Sequence, residues 1–173
     1  MLFRSVTLVS TVSLPAPSGV RVIPVETAAE MHDALDGIWS STDVLVMAAA
    51  VADFRPVACA SGKIKKDGGV PNIVLEPTPD ILCALGAKKR DGQILVGFAA
   101  ETSDMVANAE SKLRRKNLDM IMANDVSQPG VGFQHDTNAV TFLRPGQALE
   151  SVALTDKRAV ARELIDRVVA ARS

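Results

Sequence analysis

Two sets of lysines and one carboxylate stand where their types and spacing could do chemistry. Lys112 and Lys116 are four residues apart, so on a helix they share a face, and Arg114 and Arg115 between them make the run strongly basic. Two ammonium groups one helical turn apart match oxygens spread over a triphosphate. An exposed helix end, whose cations complement the helix dipole, would look the same in sequence. Lys63, Lys65 and Lys66 precede Asp67-Gly68-Gly69. In an extended segment Lys63 and Lys65 point to one side, where they would clamp a phosphate or simply keep a hairpin soluble. Asp53 sits in Ala48-Ala-Ala-Val-Ala-Asp53-Phe54-Arg55-Pro56. There the small side chains would let a ligand approach the backbone beside one carboxylate. Tight packing of strand on helix, with Asp53 as a cap, reads from the same residues.

Composition removes several other chemistries. A chain of 173 residues, 47% of them hydrophobic, suits one domain with one core. At that size about 70% of the unfolded surface can be buried, so neither a disulfide scaffold nor a structural metal is required. With 19 Lys plus Arg against 20 Asp plus Glu the net charge is −1, which excludes a broadly basic nucleic-acid binder. Cys59 and Cys83 have no partners at zinc spacing and read as reduced thiols of a cytoplasmic protein. No Walker A motif, Rossmann glycine fingerprint or Gly-x-Ser-x-Gly elbow occurs, and His32 and His135 lie far apart without an evident nucleophile. The longest apolar run, 44–52, is too short to cross a bilayer of about 30 Å as a helix, so no membrane association is expected. The first residues imitate a leader, but Ser and Thr at nearly alternate positions suit a strand over 6–10 and then a Pro-rich loop.

The elements that must position these groups follow in order. A strand is expected over 20–25, and Thr27-Ala-Ala-Glu30 is a capping box opening a helix with Met31, Leu35 and Ile38 on one face. The run 44–50 is apolar throughout, as in a parallel strand covered on both faces or a buried helix. Segment 63–76 reads as a projecting hairpin arm around Asp67-Gly68-Gly69. Thr78 is expected to cap a helix with Pro79 at its first position, running to about Lys88. A strand over 94–98, a helix over 104–116 and a strand over 120–123 continue the alternation. Strands 139–143 and 149–154 then pair through Arg144-Pro-Gly-Gln, and Thr155 caps a last helix carrying Val160, Leu164, Ile165 and Val168. The pattern is α/β: a mostly parallel sheet, helices on both faces, and a C-terminal antiparallel hairpin. Ligands in such sheets sit at the carboxyl ends of strands, here 48–53, 98–101 and 123–125.

Six segments in order, Ala48-Ala-Ala-Val-Ala-Asp-Phe-Arg-Pro56, Lys63-Ile-Lys-Lys66, Pro79-Asp-Ile81, Gly97-Phe-Ala-Ala-Glu-Thr102, Lys112-Leu-Arg-Arg-Lys-Asn-Leu-Asp119 and Ala123-Asn-Asp125, closely resemble bacterial phosphopantothenoylcysteine synthetases. These are the CTP-dependent phosphopantothenate:cysteine ligases of coenzyme A biosynthesis, and the resemblance runs from about Val6 to the C-terminus. It implies a Rossmann-like fold and a homodimer in which the 63–76 arm crosses to its partner. It also implies a domain normally linked to a flavin-dependent decarboxylase, so FMN is not expected on this chain. The implied substrates are CTP, 4′-phosphopantothenate and cysteine, with Mg²⁺ accompanying the nucleotide. Asp53, Asp80 and Glu101 are candidate metal ligands.

By the same resemblance Met47, Ala48, Ala49 and Asp53 line the nucleotide site, and Pro79, Asp80, Ile81, Leu82 and Phe98 complete its pocket. Lys112 and Lys116 bind the triphosphate, and Lys63 is the catalytic lysine reaching the phosphates. Ala49, Ala50 and Asp53 border the phosphopantothenate. Family members begin with a Gly-Gly-Thr strand end and an Asn-x-Ser-Ser-Gly loop, and neither occurs here before Val6. The expectation is therefore a single ligase domain, residues 1–173, truncated at its N-terminus. Two other readings compete: a non-catalytic CTP-binding or dimerising module that cannot activate the carboxylate, and a Rossmann-like reductase subunit that would prefer NAD(P) to CTP.

Overall fold

The computed structural model describes residues 5–60, 62–65, 69–101, 104–127, 131 and 135–172. In chain order the strands and helices are β1 (Val6–Ser10), β2 (Val20–Pro24), α1 (Ala28–Trp39), β3 (Val44–Met47), β4 (Phe54–Pro56), β5 (Leu75–Pro77) and α2 (Ile81–Ala87). There follow β6 (Ile94–Glu101), α3 (Met105–Arg115), β7 (Met120–Asp125), β8 (Thr137–Leu143), β9 (Glu150–Asp156) and α4 (Lys157–Ala171). Five strands form the main sheet in the order β3-β6-β7-β8-β9. The first three run parallel, and β8 and β9 add an antiparallel hairpin. β1 and β2 pair in parallel as a separate two-stranded sheet.

Because side chains alternate across a strand, the sheet divides the core in two. Leu45, Leu95 and Ile121 face a cluster with Met31, Leu35 and Trp39 of α1, Ile81 and Leu85 of α2, and Ala109 and Leu113 of α3. Ile94, Val96, Met120 and Phe142 face Val160, Leu164 and Val168 of α4. Helices thus lie on both faces, as the element order predicts. α1 begins with the expected capping box, in which Thr27 accepts from the Glu30 backbone N–H and Glu30 reaches back to the cap. The hairpin is fastened to α4 by Glu150, which accepts from Arg144 and from Arg167 Nε at 2.9 Å, while the Arg167 guanidinium lies 4.3 Å from the Phe142 ring centre.

Several local expectations are corrected. The apolar run 44–50 is strand only to Met47; the alanines leave the sheet as a loop, and Val46 is 40% exposed rather than covered. α4 packs over β8 and β9 and reaches β3 only at its start, where Val44 packs against the same cluster and Arg172 lies 3.6 Å from Asp43, so Val46 farther along the strand is left uncovered. The cap of α2 is Asp80, not Thr78, and that of α4 is Asp156, not Thr155. Thr155 is held in β9 opposite Asn138, while Thr78 Oγ1 donates to the Ala52 carbonyl. The deepest residue at the end of α1 is Trp39 rather than Ile38, since Trp39 Nε1 donates to the Leu85 carbonyl at 3.0 Å. On α4, Ile165 is exposed. Among the described residues, the paired strands of the arm are β4 with β5, at its base. Lys66, Asp67, Gly68 and Thr102, named above, lie outside the described residues.

Candidate functional site

β3 delivers Met47 to the carboxyl edge of the sheet, and the chain then turns outward through Ala48 to Asp53. Arg55 and Glu76 close the arm's base with an ion pair at 2.8 Å, and Thr78 N donates to the Asp53 carbonyl at 2.9 Å. This stitching sets residues 78–82 beside the alanine loop. Phe98 enters from β6, and Lys112 and Lys116 extend from α3. The result is a cleft of about 260 Å³ lined by Met47, Ala49, Ala50, Val51, Ala52, Asp53, residues 78–82, Phe98, Lys112 and Lys116. At Gly97, next to Phe98, a Cβ would lie 2.8 Å from Leu118 Cδ1 and 3.3 Å from Leu82 Cδ1, so a side chain there would require those two leucine tips to shift.

The two cleft lysines are each held by a carboxylate. Lys116 Nζ lies 2.9 Å from Asp80 Oδ1, and Lys112 Nζ lies 2.6 Å from Glu101 Oε1. Asp80 also accepts from the Cys83 backbone N–H at 3.1 Å, and Asn108 Nδ2 donates to Glu101 at 3.2 Å. Partial burial opposes ionisation of Asp80, but the hydrogen bonds from Lys116 and Cys83 and the charges of Lys116 and Arg115 outweigh it. Its carboxyl is therefore held below the usual aspartate range. Such an arrangement offers small, apolar surface for a planar group against Phe98 and the alanines, with two cations at one side for phosphate oxygens.

Of the residues singled out by sequence, the structure brings all the nucleotide- and substrate-site candidates into this cleft except Ala48 and Lys63. Both of those are exposed and do not line it. Val51 and Ala52, within the stretch 48–53 expected at a ligand-binding strand end, also line the cleft, as does Thr78, which the sequence marks only as a cap. For Thr78 the capping signal hid its tie to the alanine loop, 26 residues earlier. Glu101 is the partner of Lys112 rather than one of a group of metal ligands. Among the described residues, no three His, Cys, Asp or Glu side chains gather to hold a metal ion. Asp80 and Glu101 are engaged by lysines, so the residues present do not form a protein cage for Mg²⁺, and such an ion would be held chiefly by a nucleotide's own phosphates. Asn124, flagged on β7, is buried against Asn138 at 3.3 Å.

The model of the DNA/pantothenate metabolism flavoprotein C-terminal domain matches residues 4–171. The chain belongs to that family. Among solved structures, the C-terminal domain of a coenzyme A biosynthesis bifunctional protein CoaBC is 36% identical with a TM-score of 0.76, covering 95% of this chain and 72% of that one. The CoaBC protein of Bacillus subtilis (strain 168) is 43% identical over 169 residues, 96% of this chain and 41% of the relative. A cysteine/cysteine sulfinic acid decarboxylase from an unknown prokaryotic organism is 43% identical over 155 residues, 90% of this chain and 43% of the relative. This family member therefore spans about two fifths of the length of such curated relatives. No helix among its described residues is long and apolar enough to cross a membrane.

Proposed function

We propose that the chain is a phosphopantothenate:cysteine ligase domain of coenzyme A biosynthesis, using CTP through an acyl-cytidylate. The reading is supported above all by the convergence of four separated segments, 47–53, 78–82, Phe98 and the Lys112/Lys116 pair, on one cleft at the carboxyl edge of the sheet. Family membership and the CoaBC relatives support it further.

In this reading Met47, Ala48, Ala49, Asp53, Pro79, Asp80, Ile81, Leu82 and Phe98 hold the nucleotide, and Lys112 and Lys116 take its phosphates. Ala49, Ala50 and Asp53 border the acyl substrate. A carboxylate oxygen of 4′-phosphopantothenate attacks the α-phosphorus, the bond to the bridging oxygen breaks, and pyrophosphate leaves with its electron pair. The cysteine amine then attacks the acyl carbon, loses a proton, and displaces CMP to form the amide. Both steps gather negative charge, which fixed cations stabilise. Lys63, carried on the arm, would meet the phosphates on closure. Mg²⁺ supplies charge neutralisation when bound to CTP, and no step here is assigned to it. The domain would act in the cytoplasm as a homodimer, joined to a decarboxylase domain as in bifunctional relatives.

One observation favours a second reading, a CTP-binding module without activation chemistry: Lys63 does not line the cleft. Incubation with CTP, Mg²⁺, 4′-phosphopantothenate and cysteine separates the two. Pyrophosphate release that requires phosphopantothenate, and falls about 100-fold or more in Lys63→Gln with an unchanged melting temperature, is the expected result. If CTP raises the melting temperature while no pyrophosphate appears, the second reading holds.

A further inference from the structure

Lys116 is bound to α2 twice, by its backbone at one end of that helix and by its ammonium at the other. Its carbonyl oxygen packs against Gly86, so closely that a Cβ on Gly86 would lie 2.0 Å from that oxygen and 3.0 Å from the carbonyl carbon. Its side chain, only 17% exposed, runs back along α2 to place Nζ on Asp80, the cap of the same helix. The next residue, Asn117, takes the left-handed conformation with φ 52, which ends α3 and turns its amide toward α2. Asn117 Nδ2 donates to the Gly86 carbonyl at 2.9 Å. Lys89 Nζ donates to the Asn117 carbonyl at 2.7 Å and to Asp119 Oδ1 at 2.8 Å, and Asp119 Oδ2 accepts from Leu95 N–H at 2.7 Å. The junction is thereby anchored on β6.

We propose that Gly86 and Asn117 are positioning residues, lying outside the cleft, that set how far Lys116 reaches into it toward the phosphates of a bound nucleotide. The inference rests on reading the cleft as a polyphosphate site, but the lock itself does not. Backbone atoms cannot rotate away as a side-chain tip would. A methyl group at residue 86 must therefore push the end of α3 off α2 and withdraw Lys116 from Asp80. Lys112, held by Glu101 one turn earlier, is not part of this contact.

The test uses two readouts in the full chain. The first is the carboxyl titration of Asp80 by carbon-13 NMR, with that of Glu150, held low by Arg144 and Arg167 at the distant hairpin, as the control for general loosening. The second is the affinity for CTP with Mg²⁺ by calorimetry. In Gly86→Ala the Asp80 midpoint should rise toward the ordinary aspartate value while that of Glu150 stays, and CTP should bind about tenfold more weakly, the loss of one charge-assisted contact. Should Gly86→Ala not fold, Asn117→Gly keeps the backbone conformation, loses only the bond to Gly86, and should shift both readouts in the same direction by less. An unmoved Asp80 midpoint in the folded variants overturns the lock, and so does a Glu150 midpoint that moves equally. A moved Asp80 midpoint with unchanged CTP affinity upholds the lock and overturns the polyphosphate reading of Lys116.

Discussion

Asp80 shows how much one side chain carries in this molecule. It caps α2, holds Lys116, and lines the cleft. Its folded pKa lies below the unfolded value, so the native state binds fewer protons there than the unfolded chain does. The stability it contributes is therefore fully present above the ordinary aspartate range and is lost as pH falls through its lowered folded value. Asp80→Asn keeps a capping oxygen and removes only the charge. The variant should melt below the parent near neutrality, and the gap should close on acidification below about pH 4, where the unfolded aspartate already protonates. Melting curves of both proteins from pH 7 to pH 3 check this; a gap that stays constant would mean that the ion pair contributes nothing. By resemblance the sequence makes Asp80 a site candidate, while its local pattern points to Thr78 as the cap. Two capping oxygens two residues apart are equivalent to local rules, and only the tie from Thr78 to Ala52 decides between them.

α2 is the element on which the cleft and the core meet. Its outer end carries Ile81 and Leu82 into the cleft, and its inner end buries Leu85 completely. Trp39 Nε1 donates to the Leu85 carbonyl, and Gln93 Nε2 holds the Trp39 and Thr42 carbonyls at 2.8 and 2.7 Å. Leu85→Ala should cost about 2–5 kcal/mol, because this closed setting cannot collapse into the cavity. Thr27→Ala, which removes one half of the capping box, should cost about 1 kcal/mol. Urea unfolding measures both, and an equal cost for the two would show that α2 is not the rigid support described. The capping box was legible because it is written in four consecutive residues. The role of Trp39 was not, because its partners lie about fifty residues away in sequence.

Across the whole molecule the apolar residues do not all find cover. Phe54, Val57, Ile64, Val70, Ile73, Val74 and Leu75, all from the base of the arm and the arm itself, are exposed, with Val70 at 97%. A lone chain seldom leaves that much apolar surface in water. If the arm serves the proposed homodimer, the parent should sediment at twice the chain mass and the double variant Ile73→Asp, Val74→Asp as a folded single chain. A parent that stays monomeric at about 100 µM, far above the dissociation constants of specific dimers, would remove the arm from that role.

By itself the sequence determined the fold class, the order of elements, the box at the start of α1 and, through six ordered segments, the family resemblance. These are local or additive signals: periodicity, caps and motifs survive in one dimension. Tertiary structure alone decided which carboxylate holds which lysine, that Asp80 and Asp156 rather than Thr78 and Thr155 cap their helices, and that Val46 stays uncovered. It also brought Gly86 against Lys116, thirty positions on. Each of those outcomes depends on a contact between distant segments, whose distances and competing partners exist only once the sheet has set them side by side.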